Sequence, residues 1–174
     1  MIVKVDRPTM SASKAPKGAM RTRVLIIEGR FYEHISDELL AGAVAALEAQ
    51  GVAFDRITVP GALEIPQVLA QATAAKLIPR NAESGKWDGV VALGCVIRGE
   101  TSHYDIVCNN ANHWLMHVAV ANAIPLGNAI LTVDTEAQAM ERAGGGRKGK
   151  GADAVRACLA LIALERVFAD EEAE

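Results

Sequence analysis

Arg98, Glu100, Thr101 and His103 put a guanidinium, a carboxylate, a hydroxyl and an imidazole within one short stretch, GCVIRGETSHYD, from Gly94 to Asp105. The run before them, from Gly89, is almost wholly apolar. An arginine, a hydroxyl and the free amides of a helix start hold an anion. An imidazole titrating near neutrality moves protons. Together these groups suit an enzyme acting on a small anionic substrate. His103 is the candidate general acid/base. Thr101 and the backbone of Gly99 to Thr101 are candidate phosphate donors, as are Arg142 and Lys150 further along. Phe31, in a glycine-adjacent loop, offers a flat surface for a ring, or is a core aromatic. Glu64 is either a polar ligand or a first-turn acid that steadies its helix.

Other chemistries fit less well. His113 and His117 stand four apart, a spacing that lets two imidazoles share a metal, but no third ligand is evident; packing explains them better. His34 reads as solvent-exposed. The three cysteines, Cys95, Cys108 and Cys158, form no CxxC pair and read as reduced core thiols. The string GGGRKGKG, Gly144 to Gly151, approaches a phosphate-binding loop, but Gly151 stands where the magnesium-binding hydroxyl belongs. It also follows a short helix instead of a strand.

These groups need a scaffold. A β-branched run over 22–28 predicts a strand, and the loop Gly29 to Tyr32 follows it. Ser36, Asp37 and Glu38 read as the start of a helix reaching about Gln50, stopped by Gly51. A second strand spans 53–59. Pro60-Gly61 leads into a helix with an early Pro66, ending near Ile78, and a polar loop covers 79–86. A third strand spans 89–96. The next helix runs from Ser102 or His103 to about Asn122. A fourth strand spans 127–133. A short helix reaches Ala143, and a last one runs from Ala152 to about Ala169. Strands alternating with helix-length crossovers predict an α/β fold with an all-parallel sheet covered on both faces. The crevice at the carboxyl ends of such strands is where ligands bind.

The 174 residues suffice for one domain with a substantial core, and 51% of them are apolar. The net charge of −3 argues against nucleic-acid binding. No apolar run is long enough for a membrane span. Residues 1–20 are basic, rich in Pro, Ser and Ala, and aperiodic; they read as a flexible arm ahead of a domain over 21–170, without the apolar stretch of a secretion signal. The expected location is the cytoplasm. Several helices are Ala-rich on more than one face, which suits either an oligomer or a buried core.

The loops after the first three strands carry a resemblance. Arg30-Phe31, PGALEIP (Pro60 to Pro66), GCVIRGETSHYD and ERAGGGRKGKG (Glu141 to Gly151) stand in the order and context of the lumazine synthases, over roughly Arg21 to Phe168. The resemblance implies a three-layer, flavodoxin-like fold with a four-stranded parallel sheet. It implies condensation of 5-amino-6-(D-ribitylamino)uracil with 3,4-dihydroxy-2-butanone 4-phosphate, the penultimate step of riboflavin biosynthesis. Lumazine, phosphate and water leave, and no cofactor or metal is required. It further implies pentamers, sometimes larger shells, with active sites shared between subunits and a functional link to riboflavin synthase.

By the same resemblance His103 is catalytic. Phe31, Ala62, Leu63, Glu64, Cys95, Val96, Ile97 and Asn128 bind the pyrimidine and its ribityl chain. Glu100, Thr101, Arg142 and Lys150 bind the butanone phosphate, with Arg142 reaching a neighbour's site. Arg98 braces the loop or touches substrate. Tyr32 stands where many members have Asn, Leu63 where many have Phe, and Asn128 where shell-forming members have an aromatic. The 79–86 loop is longer than in compact members. These departures leave the reaction intact and favour the pentameric unit. Rival readings are a flavin-binding module without turnover, a shell protein, and a dinucleotide-binding domain. The last lacks GxGxxG after the first strand.

Overall fold

The computed structural model describes residues 9–12 and 21–171. Strands β1 (Thr9–Ala12), β2 (Arg23–Gly29), β3 (Ala53–Val59), β4 (Gly89–Ile97) and β5 (Leu126–Val133) form one sheet in the order β1-β3-β2-β4-β5. The last four are mutually parallel, the sheet expected of a flavodoxin-like fold. β1 adds to its edge antiparallel to β3, with Thr9 opposite Thr58. The expected flexible arm over 1–20 falls, apart from these four residues, outside the described residues.

The helices are α1 (Glu33–Ala49), α2 (Ile65–Ala74), α3 (His103–Ala121), α4 (Glu136–Ala143) and α5 (Lys150–Glu171). Their apolar faces divide between two cores. On one side Val24, Ile26, Val91 and Leu93 meet Leu39 and Leu47 of α1 and Val155 and Ile162 of α5. On the other, Leu25, Ile27 and Val90 meet Leu69 of α2 and Leu115 of α3. Alternate residues of β2 thus feed opposite cores, as a parallel strand buried on both faces must.

Several element boundaries differ from those expected. α1 begins at Glu33, one turn before Ser36, whose hydroxyl turns back to donate to the Gly29 carbonyl at 3.3 Å instead of capping the helix. Ala62–Glu64 is a 3₁₀ turn leading into α2, which ends at Ala74. α5 starts at Lys150, and Gly146–Lys148 makes another 3₁₀ turn. The glycines there serve close packing: a Cβ on Gly151 would come 2.0 Å from the Leu39 carbonyl oxygen.

Candidate active site

The chain leaves β2 toward β3 on one side and β4 lies on the other, so the strand order reverses at β2 and opens a crevice at the carboxyl ends. A cavity of about 360 Å³ occupies it. Three loops build its walls. Phe31 and Tyr32 follow β2, Pro60 to Glu64 follow β3, and Cys95 to Ile97 continue through Gly99 and Thr101 to His103, Tyr104 and Val107 at the start of α3.

Phe31 is 61% exposed, and its ring meets the edge of Tyr32 at 4.9 Å between centroids. It presents a face to the cavity and is no core aromatic. Tyr32 is half-buried. Burial pushes its phenol above the ordinary value, with the neighbouring Cys95 adding to the rise and a hydrogen bond at the Ile97 backbone offsetting part of it. Glu64 lines the cavity while Oε2 accepts a hydrogen bond from the Gly61 amide at 3.0 Å. The acid therefore closes the turn and also faces the space. Burial raises the Cys95 thiol to about 11, so it stays protonated and acts as a wall.

His103 is exposed at the rim, and its backbone amide donates to Thr101 Oγ1 at 3.4 Å. Arg98 stands outside the lining. Its Nε donates to Asp134 at 2.9 Å, Nη1 lies 3.6 Å from Asp105, and its guanidinium covers the Tyr104 ring. These contacts tie the loop to the end of β5 and to the first turn of α3.

The structure thus brings together Phe31, Ala62, Leu63, Glu64, Cys95, Val96, Ile97, Thr101 and His103. It does not bring Glu100, Asn128, Arg142 or Lys150 into the lining of the same chain's cavity. Asn128, on β5, donates to Asn112 at 2.8 Å and accepts from the Ile130 amide at 2.9 Å. Arg142 donates to the Gln138 carbonyl at 3.0 Å, and Lys150 pairs with Asp153 at 3.0 Å. The cavity lining, among the described residues, holds no lysine or arginine.

Tyr104, Val107, Pro60 and Gly61 line the cavity without having been singled out. Tyr104 follows His103 in the first turn of α3, and that adjacency was its one signal. His113 and His117 stack at 6.3 Å between centroids beside Trp114 on the exposed side of α3, and no group of three metal-ligating side chains occurs among the described residues. His34 is exposed and pairs with Glu136 at 2.8 Å.

A parallel α/β layer with a mostly apolar cavity at its switch point, an imidazole on the rim and an acid in one wall defines a small-molecule enzyme of the flavodoxin-like class. The family model of 6,7-dimethyl-8-ribityllumazine synthase matches residues 21–166, and the chain belongs to that family. A 6,7-dimethyl-8-ribityllumazine synthase of Azorhizobium caulinodans is 52% identical over 165 residues, covering 95% of this chain and 98% of the relative. One from Bartonella bacilliformis is 52% identical, covering 84% and 92%. One from Methylobacterium radiotolerans is 49% identical, covering 90% and 92%.

Proposed function

We propose that this cavity is where the chain condenses 5-amino-6-(D-ribitylamino)uracil with 3,4-dihydroxy-2-butanone 4-phosphate to 6,7-dimethyl-8-ribityllumazine, the penultimate step of riboflavin biosynthesis. The observation that carries the reading is the convergence of Phe31, Glu64, Thr101 and His103 from three separate loops on one cavity. Phe31 stacks on the pyrimidine. Cys95, Val96 and Ile97 meet its edge through backbone groups at the end of β4, and Ala62, Leu63 and Glu64 receive the ribityl chain. Glu64 supplies acceptor oxygens for the polyol hydroxyls.

The amine of the pyrimidine attacks the ketone, water leaves, and an imine forms. Loss of phosphate follows, then ring closure with a second dehydration. Each step moves protons, and His103 at the rim is positioned to take and return them. The phosphate lies against Glu100 and Thr101 at the start of α3. It carries negative charge that the cavity's own lining does not balance. Arg142, with Lys150, supplies that balance from a neighbouring subunit, and Asn128 reaches a neighbour's pyrimidine. No metal or cofactor is needed for these steps.

Two exposed apolar faces support assembly: Ile106, Trp114, Met116 and Val120 on α3, and Leu164, Val167 and Phe168 on α5. Such patches mark contact surfaces. A pentamer with sites between subunits satisfies both the faces and the missing charge. No described helix is long and apolar enough to cross a membrane. Three free cysteines fit the reducing cytoplasm, where the lumazine product passes to riboflavin synthase.

The test is turnover. Purified protein mixed with both substrates is expected to generate lumazine absorbance above the uncatalysed background. Tight pyrimidine binding without turnover would replace the enzyme with a binding protein.

A further inference from the structure

Phe31 has little to hold it. Its ring is 61% exposed, and its aromatic contact is the edge of Tyr32. An exposed side chain that must present one face to a ligand depends on its backbone for its position. That backbone is tied down by the residue before it. The Arg30 amide donates to the Val59 carbonyl at 3.0 Å, joining the loop to the end of β3. The Arg30 guanidinium reaches back to Glu28 on β2 and forward to Asp37 Oδ1 at 2.5 Å and the Glu33 carbonyl at 3.5 Å on α1. One planar group therefore spans the Phe31 turn, from the strand before it to the helix after it.

The anchor of this strap is unusual. Glu28 is fully buried, a costly place for a carboxylate unless it is paired. Its other oxygen, Oε2, takes the Arg56 guanidinium of β3 at 2.7 Å through both Nε and Nη2. Beside it, Gly29 lies so close to Gly61 that a Cβ would fall 2.9 Å from the Gly61 carbonyl. The Phe31 loop and the Glu64 loop are thus locked to each other at their roots.

We infer that Arg30, anchored on the buried Glu28, is a positioning residue that sets the Phe31 ring for the pyrimidine, whereas Arg56 serves only to neutralise the anchor. The inference rests on the reading of Phe31 as the pyrimidine platform. It assigns Arg30 to one substrate only, because the butanone phosphate lies at the start of α3.

Steady-state kinetics of Arg30→Ala, Arg30→Lys, Arg56→Ala and Phe31→Ala, each with its melting temperature, test it. Arg30→Ala is expected to raise KM for the pyrimidine on the order of tenfold, with KM for the butanone phosphate unchanged. Arg30→Lys recovers part of the loss, since it keeps the charge without the planar fork. Arg56→Ala lowers the melting temperature at least as much and leaves both KM values alone. An unchanged pyrimidine KM in Arg30→Ala, or an equal rise in Arg56→Ala, overturns the strap. A silent Phe31→Ala removes the platform itself, and the strap with it; a Phe31→Ala defect beside a silent Arg30→Ala removes the strap alone.

Discussion

The guanidinium carbon of Arg98 lies 4.1 Å from the centroid of the Tyr104 ring, and Tyr104 in turn lines the cavity. The same arginine donates to Asp134 at the end of β5. The loop carrying Glu100 and Thr101 is thereby tied at one end to the sheet and at the other to the first turn of α3.

Because Arg98 braces this loop without entering the cavity, Arg98→Ala should lower kcat/KM modestly, by less than roughly tenfold, and chiefly through the butanone phosphate. Arg98→Lys should not restore it fully, since an ammonium neither stacks flat nor forks to the carboxylates. Steady-state kinetics with each substrate varied in turn checks this. A loss comparable to that of His103→Ala would mean that Arg98 touches substrate.

His103→Ala should leave fold and assembly intact, since the side chain is exposed at the rim. It should lower kcat by roughly 10- to 1000-fold, the range of a lost general acid/base. The expected signature is a fall in kcat with the pyrimidine's binding constant nearly unchanged. Wild-type turnover in this variant would remove His103 from the chemistry.

Much of this was readable before any coordinates. The two central strands announce themselves as unbroken apolar runs, Val24 to Ile27 in β2 and Val90 to Leu93 in β4, because a strand buried on both faces leaves no room for alternation. The cavity walls were legible for the same reason: polar loops at strand ends stand out against apolar runs. What stayed hidden depends on pairing at a distance. Ser36 carries the signal of a helix cap, yet its hydroxyl is spent on Gly29 and the helix starts earlier. Tyr104 reads as one more helix residue until Arg98 is seen lying over it. Thr9–Ala12 has no strand-like pattern, and becomes a strand only because the edge of β3 is open to pair with it. The Arg30–Glu28–Arg56 cluster joins residues from two strands, so no local pattern displays it.

If the phosphate charge is balanced across a subunit boundary, two defective chains should rescue each other. Arg142→Ala alone is expected to raise KM for the phosphorylated butanone, and His103→Ala alone to abolish most turnover. Co-expressed, they should form mixed assemblies in which some sites draw an intact His103 from one chain and an intact Arg142 from the other. Activity well above the average of the two separate variants is the expected outcome. Strict averaging would place Arg142 in its own chain's site or outside the mechanism.

Asp55 offers a prediction about stability, away from the chemistry. It is fully buried on β3 and accepts from Arg23 Nε at 2.9 Å, Arg23 Nη2 at 2.6 Å and Trp87 Nε1 at 2.7 Å, with Lys86 Nζ at 3.4 Å. Burial pushes its carboxyl up, but the hydrogen bonds from Arg23 and Trp87 and the charges of Arg23 and Lys86 outweigh it, and the pKa falls below its ordinary value. A carboxylate whose pKa is lower folded than unfolded binds fewer protons in the native state. Its stabilising effect is therefore present above the unfolded value, about 4, and is lost as pH falls through the folded value. Asp55→Asn should cost about 3 kcal/mol at neutral pH, as breaking a buried pair does. Melting curves of the two proteins across pH check both points: the gap should be full at pH 7 and narrow below about pH 4. A gap that stays constant into acid would mean that Asp55 contributes shape and hydrogen bonding alone, with no part for its charge.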